Sequence, residues 1–91
     1  MVVINHNSST AIVVSRKENG CYVLVPMSSG SLSAVQVTKR DFERDWKELN
    51  YPLSKAVERF LAHAKVHGAT QAAMHGLERA SQGQQGNLFW A

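Results

Sequence analysis

Along this chain the spacing of apolar and polar positions changes its period once, at Thr38. Before that point, short apolar runs alternate with turn-forming residues. The runs are Val2 to Ile4, Ala11 to Ser15, Cys21 to Val25 and Leu32 to Val37; His6 to Ser9, the Asn19-Gly20 pair and the SSGS stretch lie between them. Short runs rich in Val and Ile, bounded by Asn, Ser and Gly, read as β-strands. Asn-Gly tolerates the positive φ of a tight hairpin turn, so Ala11 to Ser15 and Cys21 to Val25 form a hairpin. Pro26 closes its second strand because it has no N–H to give a sheet neighbour. Val2 to Ile4 is expected at a sheet edge.

After Thr38 the period lengthens to about 3.6. Thr38 with Asp41 three residues later has the form of a capping box, Asp standing for the usual Glu. Phe42, Trp46 and Leu49 then fall at i, i+4 and i+7, which predicts a first helix packing onto the sheet. Pro52 suits a first helical turn. The stripe Leu53, Ala56, Val57, Phe60, Leu61 and Ala64 predicts a second helix from Pro52 to about His67, ended by Gly68. Thr70 opens a third, Gln71 to about Gln82, with Ala73, Met74, Leu77 and Ala80 inward and Gly76 weakening its middle. The expected fold is α+β: a small antiparallel β-meander of three or four strands, with an SH3-like curl as one option, followed by three helices covering one face. Residues 1–82 form a single domain (strands 1–38, helices 39–82), and 83–91 form a C-terminal tail.

Ninety-one residues, 44% of them hydrophobic and 19% charged, suit one ordinary globular domain. The formal charge of +3 is too small and too mixed for a strong nucleic-acid footprint. Lys39, Arg40, Arg44 and Lys47 share their segment with Asp41, Glu43, Asp45 and Glu48, and the excess comes from Lys55, Arg59, Lys65 and Arg79 against Glu58 and Glu78. A single cysteine, Cys21, lies in an apolar run and reads as a buried, inert thiol. With no basic leader and no apolar run of membrane-spanning length, the expectation is a cytoplasmic protein without membrane contact.

Candidate chemistry is sparse. His63 and His67 stand at i, i+4 with His75 further on, but no acid lies between the two and the cysteine is remote, so they read as surface or boundary histidines. Ser, His and Asp have no nucleophile-elbow context, and the glycines form no phosphate-cradling loop. No catalytic residue, metal site or cofactor is therefore assigned, and the protein is expected not to be an enzyme.

Three stretches resemble known families. "AIVVSRKENGCYVLVPMSSGSLSAVQVTKRDFERDWKEL" is similar to the carboxy-terminal part of C39-type cysteine peptidase domains, where two strands, a turn and a third strand lead into a helix with a Phe-x-x-x-Trp pattern, here Phe42 and Trp46. The half that would carry the nucleophile is absent, Val25-Pro26 stands where Asp-Pro is expected, and His6 comes several residues too early. That resemblance implies a degenerate peptidase-like domain at most. "HGATQAAMHGLERASQ" resembles the helix-turn-helix of bacterial and phage repressors, with Thr70, Gln71, Ala73, Gly76 and Leu77 in the places of Thr-Gln-x-Ala and the Gly-Leu turn. It implies a small DNA-binding regulator using the helical hairpin around 70–82, with Thr70, Gln71, Arg79 and Gln82 toward nucleic acid.

The third lies in the tail, where "SQGQQG" runs into Leu88, Phe89 and Trp90. Gln85 to Phe89 resembles the bacterial sliding-clamp-binding pentapeptide, whose common form is Gln-Leu-Ser/Asp-Leu-Phe; Gly86 replaces its Leu. The resemblance implies that Gln85 hydrogen-bonds at a pocket rim while Leu88 and Phe89 fill an apolar pocket, and Trp90 extends the apolar bait. Ten residues from Gln82 can span about 33 to 36 Å, enough to reach a pocket on another protein. Alternatively the same side chains fold back into a groove of their own domain. The leading expectation is a small non-enzymatic binding or adaptor protein of bacterial, phage or mobile-element DNA metabolism, recruiting a protein partner through this peptide, with a sliding clamp as the first candidate.

Overall fold

A computed structural model describes residues 1–27 and 30–83. In chain order its elements are β1 (Val2–Asn5), β2 (Thr10–Arg16), β3 (Tyr22–Pro26), β4 (Val35–Val37), α1 (Lys39–Asp45), β5 (Trp46–Glu48), α2 (Leu53–His67) and α3 (Gln71–Gly83). The strands form one antiparallel sheet in the order β4-β3-β2-β1-β5. The fold is α+β as expected, with a fifth strand. β4 and β5 end the sheet without pairing to each other, so it is open, and α1 links them.

The fifth strand moves β1 from the edge to the interior. Val3, Ile4 and Asn5 pair with Glu48, Lys47 and Trp46, while the other side of β1 pairs with β2. Helix α1 stops after Asp45, and Trp46, its C-cap, is already extended at φ −122° and ψ 142°. The spacing of Phe42, Trp46 and Leu49 would put all three on one helical face. In a strand, residues three apart point to opposite faces. Trp46 packs against Val3, Ala11, Val13 and Leu24, whereas Leu49 packs on the core containing Val2 and Ile12 and donates its N–H to the Val2 carbonyl at 2.9 Å. The free edge of β1 supplies backbone partners that another helical turn would forgo.

Both faces of the sheet are consequently covered. On one, Ile12, Val14 and Val25 meet Val57 and Phe60 of α2 and Ala73, Leu77 and Ala80 of α3. On the other, Val3, Ala11, Val13 and Leu24 lie beneath Tyr22, Val37, Phe42 and Trp46. Helix α1 therefore sits opposite α2 and α3, which corrects the expectation that all three cover one face. Its anchor is Phe42, stacked on Tyr22 with centroids 4.1 Å apart, and the Arg16 guanidinium lies 5.7 Å from the centre of that tyrosine ring.

Local chemistry explains the connections. Between β2 and β3 the Lys17 N–H donates to the Cys21 carbonyl and the Gly20 N–H to the Lys17 carbonyl, leaving a three-residue loop in which Gly20 takes the positive φ, 89°. Cys21 stands beside this loop and is half-buried, not buried as expected. Strand β4 starts only at Val35 because Leu32 is used elsewhere. The backbone of Leu32 pairs with the α2–α3 connection, its N–H donating to the Gly68 carbonyl at 3.2 Å and its carbonyl accepting from Thr70 N–H at 2.9 Å. The Leu32 side chain is fully buried.

Capping follows the expected pattern. Thr38 Oγ1 accepts from Asp41 N–H, and Gly68, at φ 90°, donates its N–H to the Ala64 carbonyl. Pro52 is the N-cap of α2 rather than a residue inside its first turn. Gly76, expected to weaken α3, has a packing reason: a Cβ there would meet three Val14 side-chain atoms at 3.1 to 3.3 Å. Val14 sits at a bulge in β2, between Val13 and Ser15, and is itself buried, so it would have to shift by a few tenths of an ångström to admit that carbon. Alanine for glycine inside a helix ordinarily adds about 1 kcal/mol of stability. Here Gly76→Ala is expected to lower the melting temperature, and Val14→Ala in the same chain to remove most of that penalty, as read by a double-mutant cycle of thermal unfolding.

Candidate functional site

Helices α2 and α3 are joined by the Gly68–Thr70 connection, and a groove lies between them. The connection is clamped from outside. Besides the Leu32 pairing, Ser31 Oγ donates to the His67 carbonyl at 3.1 Å, and His63 Nε2 lies 2.8 Å from the Gly30 carbonyl. A carbonyl oxygen only accepts, so His63 carries its proton on Nε2. The His63 and His67 rings are 4.3 Å apart. The ring of His63 and the main-chain carbonyl of His67 thus hold the 30–32 segment, and among the described residues no three His, Cys, Asp or Glu side chains converge as metal ligands.

Between the two helices runs a groove of about 430 Å³ lined by Leu61, Ala64, Lys65, Ala69, Met74 and Glu78. Ala69 belongs to the connection, and Lys65 and Glu78 supply one charge from each helix. A second, shallower depression of about 410 Å³ crosses the outer side of α2 and is lined by Lys55, Glu58 and Arg59 beside Tyr51 and Ala62. A cleft between β1 and α2, bordered by Val2, Leu49, Tyr51 and Phe60, holds only about 40 Å³. That is room for a water molecule and far below the roughly 300 to 1,000 Å³ of small-molecule sites.

The residues assigned to nucleic acid divide in two. Thr70 is the N-cap of α3, its Oγ1 accepting from Ala73 N–H at 3.1 Å, so its hydroxyl is engaged in holding the helix start. Gln71, Arg79 and Gln82 are exposed on α3, and Gln71 and Gln82, eleven residues apart, recur on the same side together with His75. The Gly-Leu turn implied by the repressor resemblance is not formed. Helix α3 runs unbroken from Gln71 to Gly83, and Gly76 and Leu77 are buried against the sheet. A separate recognition helix does not follow them. Gln85, Leu88, Phe89 and Trp90 lie outside the described residues.

The peptidase-like stretch does form two strands, a third strand and a helix in the order the resemblance implies. Its candidate groups do not resemble a reaction centre: His6 is exposed in the β1–β2 turn and Cys21 borders the next hairpin loop. Displaced proton affinities often mark reactive clefts. The displaced carboxyl here is Asp45, held below its ordinary value first by its hydrogen bond to Arg44, with Nε–Oδ1 at 2.9 Å; the Arg44 guanidinium, raised in turn, also meets Asp41 at 3.1 Å. This is a solvent-facing ion pair at the end of α1.

The groove is the feature that periodicity alone does not reveal. Leu61, Ala64 and Met74 belong to the apolar stripes that predict inward-facing side chains, yet each is only half-buried where it lines the groove. The apolar arc of α2 runs from Ala56 through Phe60, Leu53, Ala64 and Val57 to Leu61, about 140° at 3.6 residues per turn, and Leu61 at its margin is the signal that marks such a flank. No helix among the described residues is long and apolar enough to cross a membrane. The chain matches no known protein family, no curated protein and no solved structure.

Thr70 supplies a direct test of its assignment. Thr70→Ala is expected to cost about 1 kcal/mol in urea unfolding, and Thr70→Ser to restore nearly all of it, because only the hydroxyl cap is at stake.

Proposed function

We propose that this protein is a small non-enzymatic adaptor of bacterial or mobile-element DNA metabolism that recruits a protein partner through Gln85, Leu88, Phe89 and Trp90, a sliding clamp being the first partner to try. The supporting observation is the closure of the core before that peptide begins. Both faces of the sheet are covered by residues up to Ala80, the last buried side chain described in α3, and Ser81 and Gln82 already face solvent. The Gln/Gly-rich stretch from Gln82 to Gly86 then separates Leu88, Phe89 and Trp90 from a domain that has its own hydrophobic interior.

Such a peptide suits weak, reversible capture. Two apolar anchors contribute about 1.5 to 3 kcal/mol each before the cost of ordering the chain. The glutamine and asparagine side chains add hydrogen bonds at a pocket rim. The Gly86 substitution within the clamp-like pattern removes one apolar contact, which places the affinity below that of the full pattern.

Calorimetry with a purified bacterial sliding clamp tests the reading. Leu88→Ala and Phe89→Ala are each expected to weaken binding at least about tenfold while changing unfolding free energy by less than about 1 kcal/mol. Clamp binding unaffected by both substitutions, or a loss of about 3 to 5 kcal/mol of stability on Phe89→Ala as for a core phenylalanine, would contradict it.

A further inference from the structure

We propose that the groove between α2 and α3 is the resting site of the protein's own Leu88–Trp90 segment, so that a partner must draw the peptide out of a domain that already holds it. The competition rests on the recruitment reading above; the docking stands on the groove, the reach of the chain and the chemistry of the two.

Reach comes first. The last described residue of α3 is Gly83, and Met74 and Glu78 line the groove about 13 and 7 Å back along the same helix, at 1.5 Å per residue. From Gly83, Leu88 lies five residues on and Trp90 seven, spans of up to about 17 and 24 Å for extended chain. The segment is therefore long enough to reverse and run back along α3 into the groove, and Gly83 and Gly86 are residues that permit such a reversal without steric cost.

Chemistry favours this depression over the two others described above. Four of its six lining residues are apolar, Leu61, Ala64, Ala69 and Met74, and methionine adapts its shape to aromatic rings. The surface on the outer side of α2 is lined by three charged residues, and the β1–α2 cleft is too small for any of the three side chains. Each wall of the groove also offers a polar group that an aromatic peptide uses. Glu78 can accept from the Trp90 indole N–H, which needs a partner once covered, and the Lys65 ammonium can lie over an aromatic face.

Methyl-labelled full-length protein decides the matter. Nuclear Overhauser effects are expected from Phe89 or Trp90 ring protons to the Leu61 methyls and the Met74 ε-methyl. These methyl signals should move on Trp90→Ala and should not change on tenfold dilution. If no such effects are seen and both methyl signals stay unmoved by Trp90→Ala, the proposal is overturned; effects that vanish on dilution would assign the groove to a second copy's peptide instead. Clamp binding supplies the second arm: Met74→Glu should strengthen it several-fold by freeing the peptide, and unchanged affinity would remove the competition. If Met74→Glu does not fold, Glu78→Lys at the exposed rim replaces it in the same titration. Overhauser effects present with no clamp binding by any variant would sink the recruitment reading alone, and clamp binding without those effects would sink the docking alone.

Discussion

Strand β1 is hydrogen-bonded on both sides, and its side chains alternate between two buried faces; the rest of the architecture depends on that. Val2 and Val3 are neighbours in sequence, yet one belongs to the core beneath α2 and α3 and the other to the core beneath α1. A strand in a sheet covered on one face would need only one of them buried. Because β5 completes the pairing, Trp46 and Leu49 are sent to opposite sides of the sheet and each closes one core. The chain thereby builds three layers, with one helix above the sheet and two below.

Positioning of the lower layer relies on two close contacts. At one, α3 comes so near Val14 that a Cβ at Gly76 would meet its side chain at 3.1 to 3.3 Å, tighter than ordinary contact. At the other, Leu32 pairs with Gly68 and Thr70, tying the β3–β4 connection to the turn between α2 and α3. The start of α3 is thus pinned at that turn and its middle held against β2. In the groove between the helices, Leu61, Ala64 and Met74 are half-buried and apolar because they border the core rather than fill it.

Much of this was legible in the sequence because local chemistry and tertiary packing agree there. The Asn19-Gly20 hairpin, the caps at Thr38, Gly68 and Thr70, and the inward stripe of Ala73, Leu77 and Ala80 all follow from residue type and spacing. The α1–β5 junction was not legible, since Phe42, Trp46 and Leu49 satisfy a helical period equally well and only the distant strand β1 breaks the tie. One local clue was present: Ala11 to Val14 are four consecutive apolar residues, the mark of a strand covered on both faces. The repressor-like pattern misled for a related reason. Its Gly-Leu pair reads as a turn in isolation, whereas a glycine within a helix also permits close packing, and the sheet beneath α3 chose the second use.

The two-sided core, described as far as Ala80, depends on β5 joining β1. Inter-strand Overhauser effects and amide exchange across this ladder test it most directly. The structure predicts backbone contacts linking Val3 with Glu48 and Asn5 with Trp46, and a Leu49 amide protected from exchange by the Val2 carbonyl. Sequential helical contacts continuing from Phe42 through Leu49, with a fast-exchanging Leu49 amide, would show α1 running on past Trp46 and would contradict the two-sided core.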